Sequence, residues 1–122
     1  MLKVQTTNFG NVAVLCVQGR IVRGETEALR NAFLSQLNAS AVVLDLAGVS
    51  TIDAGGLGLM LELREYAESR GIEFRLRSVS KLVKRILEIT RLDAVFKVAT
   101  EREVVKAPLA RPSIALQTAA CA

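Results

Sequence analysis

Histidine and tryptophan are absent from this 122-residue chain, and proline and cysteine occur only twice each. Without histidine the usual proton shuttle, the His-based nucleophile triads and most zinc sites are excluded, and with them most hydrolase chemistry. The two cysteines, Cys16 inside an apolar run and Cys121 beside the last residue, make a poor disulfide framework, and Cys16 reads as core packing. Aromatics are scarce, four phenylalanines and one tyrosine, so the base-stacking platform of a single-strand nucleic-acid binder is missing and no nucleic-acid partner is expected. The longest apolar runs, such as Val12 to Val17 and Leu57 to Leu61, fall far short of the roughly 20 residues of a membrane span. Nor does the N-terminus, Met1-Leu2-Lys3-Val4-Gln5-Thr6, carry a charged segment followed by a long apolar stretch. A soluble protein in the cytoplasm is the expectation.

What the chain does hold is apolar content, 51% of residues, enough for one self-sufficient core at this length. The net charge of +4 is unevenly placed. Arg70, Arg75, Arg77, Lys81, Lys84, Arg85 and Arg91 face only Glu73 and Glu88 within one short segment, which reads as a solvated face or as a contact for an acidic partner.

Val4 to Asn8 and Val12 to Gln18 are β-rich runs joined by Phe9-Gly10-Asn11, an opening hairpin. Leu29, Phe33 and Leu37 recur at fourfold spacing and predict a helix over Glu25 to Leu37. Ala41 to Leu46 reads as a parallel strand buried on both faces. A second helix is expected from about Gly55 to Arg70, with Met60, Leu63 and Ala67 on one side and Gly71 as its C-terminal cap. Glu73 to Arg77 alternates, so Phe74 and Leu76 face one way and three charges face a wet side. Ser80 is placed to cap a third helix to about Thr90, with Leu82, Val83, Ile86, Leu87 and Ile89 as a broad apolar stripe. Val95 to Val98 reads as a last strand, and Thr100 with Glu103 as a capping box. Together these predict one α/β domain over residues 1–107, a mixed sheet with helices mainly on one side, and a tail over 108–122. Homodimerisation through exposed edges and the apolar Ile114 to Leu116 is left open.

The densest signal is Asp45-Leu46-Ala47-Gly48-Val49-Ser50-Thr51-Ile52-Asp53-Ala54-Gly55-Gly56-Leu57-Gly58, a strand feeding a helix start. Such a turn offers unpaired N–H groups and partial positive charge. Gly56-Leu57-Gly58 opens a dinucleotide fingerprint, but its third glycine position holds Leu61, and no Lys-Ser/Thr pair follows. Asp45 is placed to accept backbone N–H groups and Asp53 to cap the helix. The loop supplies no convergent carboxylates, so no metal, no cofactor and no enzyme activity are expected.

This stretch, together with Leu82 to Phe96 and the order of elements, resembles the STAS domain family, the anti-sigma factor antagonists and sulfate-transporter regulatory domains, over about residues 3–107. In the antagonists the turn reads Asp-Ser-Ser-Gly-Leu-Gly, and the second serine is the phosphorylation switch read by a partner serine kinase that doubles as anti-sigma factor. Here those serines are Ala54 and Gly55, so phosphorylation at that position is excluded chemically. A second departure is Val22, where many relatives carry an aspartate. The resemblance implies a cytoplasmic bacterial transcription regulator that docks on an anti-sigma factor or serine kinase of the ATP-binding type. The residues it implicates are Arg20, Thr51, Asp53, Ala54, Gly55, Gly56, Leu57 and Gly58, with Ser50 and Thr51 the nearest hydroxyls for modification. The alternative is a STAS adaptor subunit of a transport or signalling complex.

Overall fold

The computed structural model describes residues 2–98. Thr100, Glu103, the tail 108–122 and the Ile114 to Leu116 patch lie outside them. Strand β1 (Lys3–Phe9) and strand β2 (Val12–Ile21) form the expected hairpin, turned by Gly10 in the left-handed region at φ 61°. Helix α1 (Glu27–Leu34), strand β3 (Ala41–Ile52), helix α2 (Ala54–Ser69), strand β4 (Glu73–Arg77), helix α3 (Lys81–Ile89) and the short strand β5 (Lys97–Val98) follow. The sheet order is β1-β2-β3-β4-β5, with β1 antiparallel to β2 and the rest parallel. Because strand order follows chain order, the three parallel crossovers step in one direction across the sheet, and all three helices pack into the same core cluster.

The core reflects this arrangement. Ala13, Leu15, Val17, Val42, Leu44 and Leu46 point into a cluster with Leu29 and Phe33 of α1, Met60, Leu63 and Ala67 of α2, and Val83 and Leu87 of α3. The alternate residues Val12, Val14, Cys16 and Val43 form a smaller buried cluster on the opposite face, so β2 and β3 read as continuous apolar runs. Cys16 packs there, the core position that its place in an apolar run suggested. The few aromatics are used economically: Phe33 meets Tyr66 and Phe74 edge-on at 6.1 and 6.2 Å, and Phe74 meets Phe96 at 6.3 Å.

Gly71 closes α2 as expected. It takes φ 73°, Ile72 N–H reaches the Ala67 carbonyl at 2.8 Å, and Gly71 N–H reaches that of Glu68 at 3.1 Å, the doubly bonded glycine ending of a helix. Three expectations are corrected. First, α1 is shorter than Glu25 to Leu37, ending where Ser35 N–H bonds back to Asn31. Second, β3 runs on to Ile52 instead of stopping at Leu46, because it stays paired with β2 through two register shifts, between Cys16 and Gln18 and between Gly19 and Arg20. Third, the apolar stripe of α3 is narrower than its sequence suggests: Val83 and Leu87 are buried, whereas Leu82 and Ile89 are exposed. A nine-residue helix has room to aim only about one residue per turn directly at a flat sheet.

The polar side of β4 also differs. Arg77 is buried, and its Nε lies 3.0 Å from Asp45 Oδ2 across the parallel pair. Asp45 in addition accepts from Ala47 N–H at 3.0 Å, holding the first β3 irregularity. A charge expected to be wet is therefore part of the interior, tolerable only because it is paired.

Candidate protein-docking site

Strands β2 and β3 end side by side, Arg20 opposite Thr51 and Ile21 opposite Ile52. The chain then leaves β2 through 22–26 and leaves β3 directly into α2, so the two exits share one end of the sheet. Asp53 ties them together. Its backbone N–H donates to the Ile21 carbonyl at 3.3 Å, its carboxylate accepts from Gly56 N–H at 2.8 Å, and both carboxylate oxygens accept from Arg23 N–H at 3.1 Å. The N-cap role expected of Asp53 is present, and the second grip, on Arg23, is not visible in the sequence. The bonds from Gly56 and Arg23 hold the Asp53 carboxyl below its ordinary value, since both favour the charged form.

Glycine is required here for a steric reason. A Cβ on Gly56 would overlap the Ile21 carbonyl oxygen, and one on Gly55 would come within 2.7 Å of Arg23 Cβ and 3.1 Å of Arg23 Cα. At Gly58 a Cβ would meet nothing within 4 Å. Helix α2 thus starts directly under the 22–24 loop, which turns through Gly24 at φ 87° and is braced by the Arg20 to Glu25 ion pair at 3.2 Å.

Every residue implicated from sequence falls at this end, but in two layers. Arg20, Asp53, Ala54 and Gly58 are exposed and Thr51 and Gly55 half-buried, while Gly56 and Leu57 are buried and shape the surface from beneath. Ser50 is exposed and its hydroxyl donates to the Gly19 carbonyl at 3.3 Å. Arg23, exposed and lying over Gly55, was missed; the only sequence signal near it is the unusual Val22 that precedes it. Among the described residues no group of three or more Asp, Glu, Cys or His is placed to hold a metal, and no helix is long and apolar enough to cross a membrane.

A strand-helix turn of small residues at the end of a sheet of this order, capped by aspartate, is matched by the STAS domain model over residues 3–107. The chain belongs to the STAS family. A STAS-domain containing protein of Pseudomonas aeruginosa strain UCBPP-PA14 is 28% identical over 91 residues, covering 74% of this chain and 90% of that protein. An anti-sigma factor antagonist from Mycobacterium paratuberculosis superimposes with a TM-score of 0.74 at 21% identity, covering 86% of this chain and 92% of that one. The anti-sigma factor antagonist SpoIIAA in its unphosphorylated form gives 0.69 at 19% identity, covering 84% and 93%. At these identities the structural likeness establishes the STAS fold, a mixed sheet with helices, in agreement with the expected fold class.

Proposed function

We propose that this STAS domain is an anti-sigma factor antagonist that docks on a kinase-type anti-sigma factor without a phosphorylation switch at the start of α2. The observation that carries the proposal is the pairing of Gly55 with Arg23. In the antagonist pattern a serine hydroxyl stands at this position, whereas here Arg23, through its Cβ and Cα, occupies the space that any side chain would need. A phosphate would add about −1.5 to −2 charges at the centre of the surface. Its absence leaves that surface permanently in the unmodified form, with Asp53 holding both halves rigid. Control then falls to partner supply or to modification elsewhere, Ser50 and Thr51 being the nearest hydroxyls. The docking residues are the exposed Arg20, Asp53, Ala54 and Gly58 with the half-buried Thr51 and Gly55, in the cytoplasm, and no catalytic step is involved.

Calorimetric titration into kinase-type anti-sigma factors of the same genome, with ADP and with ATP, tests the proposal. Binding should be insensitive to prior incubation with kinase and ATP. Ala54→Glu should weaken it at least about tenfold, because it sets an unpaired charge in the interface while an acid in the first turn suits the helix dipole. Gly55→Ala separates shape from charge, moving the loop by a methyl group alone. Absence of binding to every such factor transfers the function to the adaptor alternative.

A further inference from the structure

Helix α3 presents a surface that the fold does not use and that the docking proposal does not require. Ile89 and Leu82 are the most exposed large apolar residues among the described ones, at 71% and 52%. At 3.6 residues per turn, Leu82, Arg85 and Ile89 lie within about 60° of one another around the helix, on the side away from Val83 and Leu87. Lys81, Lys84 and Arg85 are exposed around this stripe and Arg91 follows it, with Glu88 the one acid. None of the four cations makes an ion pair among the described residues, whereas Arg20, Arg30 and Arg64 all do.

The charge restricts what can cover the stripe. A second copy would bring like charges together. The chain beyond the described residues, 99–122, holds Glu101 and Glu103 against Arg102, Lys106 and Arg111, so it offers no net complement. The occupant is anionic from outside the chain. Protein interfaces favour aromatic anchors and disfavour lysine at their centres, and this stripe has no aromatic and two lysines. Aliphatic side chains projecting from a convex helix and flanked by lysine and arginine suit the headgroup region of an anionic bilayer. We infer that Leu82 and Ile89, ringed by Lys81, Lys84, Arg85 and Arg91, form a reversible docking surface for anionic lipid membranes. This surface shares no residue with the start of α2, so its failure leaves the antagonist proposal intact.

Co-sedimentation of the full chain with phosphatidylcholine vesicles, with and without about one-third phosphatidylglycerol, at near-physiological salt tests this. Binding to the anionic vesicles should exceed that to the neutral ones at least about tenfold, and Leu82→Ser with Ile89→Ser should reduce it by about the same factor. Arg85→Glu should lower it severalfold more than Lys3→Glu, a matched charge change on exposed β1. All four positions are exposed, and circular dichroism verifies that each variant is folded. Equal losses from Arg85→Glu and Lys3→Glu, or no loss on removing the two aliphatics, would reduce the effect to adsorption by net charge and overturn the proposal. So would equal or absent binding to the two vesicle types, including the case in which an acidic protein proves to bind through Leu82 and Ile89.

Discussion

Helices α2 and α3 begin in the same way and end up with opposite surfaces. Each follows a parallel strand of the same sheet, and each is capped by a side chain, Asp53 accepting from Gly56 N–H at 2.8 Å and Ser80 from Val83 N–H at 3.2 Å. At α2 the cap also grips Arg23, and residues without side chains let a loop settle on the helix. At α3 the anchoring comes from below, where Arg77 pairs with Asp45 and Ser78 Oγ approaches Asp45 at 3.5 Å, and the outer face carries bulky aliphatics and cations. Capping is common local chemistry. Residue size and charge after the cap decide whether a helix start becomes a flat, closed surface or a projecting one.

That contrast can be broken at the α2 start most severely by Gly56→Ala, which forces the Ile21 carbonyl aside. A loss of about 4 kcal/mol or more in denaturant unfolding, or failure to fold, is expected despite the higher helix propensity of alanine. At the α3 start, Arg77→Met leaves Asp45 buried and unpaired, and should cost about 3 kcal/mol in the same measurement. If the two ends are held as differently as the geometry says, Arg77→Met will leave the Arg23 amide as protected from hydrogen exchange as before, whereas Asp53→Ala will expose it. Ser80→Ala, which removes only a cap, should cost about 1 kcal/mol.

Asp53 adds a pH signature. Its folded-state pKa lies below the ordinary 3.8, so its contribution is complete above that value and is lost as pH falls through the folded pKa. The stability difference between the natural chain and Asp53→Ala should be constant from neutral pH down to about 5 and shrink below 4. The smallest effect is expected at Gly58, where a Cβ finds open space. Gly58→Ala should stabilise the fold by about 0.5–1 kcal/mol. If the α2 start is the docking surface, the same methyl will weaken partner binding, so that stability and affinity move in opposite directions.

Much of this was readable in the chain because it depends on neighbours in sequence. The hairpin follows from Gly10-Asn11 between two β-rich runs, the end of α2 from Gly71, its cap from Asp53, and the lack of a phospho-acceptor from Ala54 and Gly55. Alternation of hydrophobic and charged residues in β4 also gave the inward positions of Phe74 and Leu76. The same alternation misplaced Arg77, because the pattern reports which side a residue faces and not what waits there. Asp45 lies 32 residues earlier in the chain, on the neighbouring strand, and only strand pairing brings the two together.

The remaining decisions belong to tertiary structure for the same reason. Apolar residues on α3 all looked like core, yet a helix against a sheet has a limited contact arc, so Val83 and Leu87 went in and Leu82 and Ile89 stayed out. The glycines after Asp53 leave room for a close approach that their sequence does not specify; the fold supplies it by running the β2 exit over α2, with Arg23 on Gly55 and Ile21 on Gly56. Sequence determined the local elements, their caps and the missing hydroxyl, because these rest on backbone preference and covalent chemistry. Which charges are buried, which aliphatics are bare and what closes over the helix start were decided by the packing of segments distant in the chain.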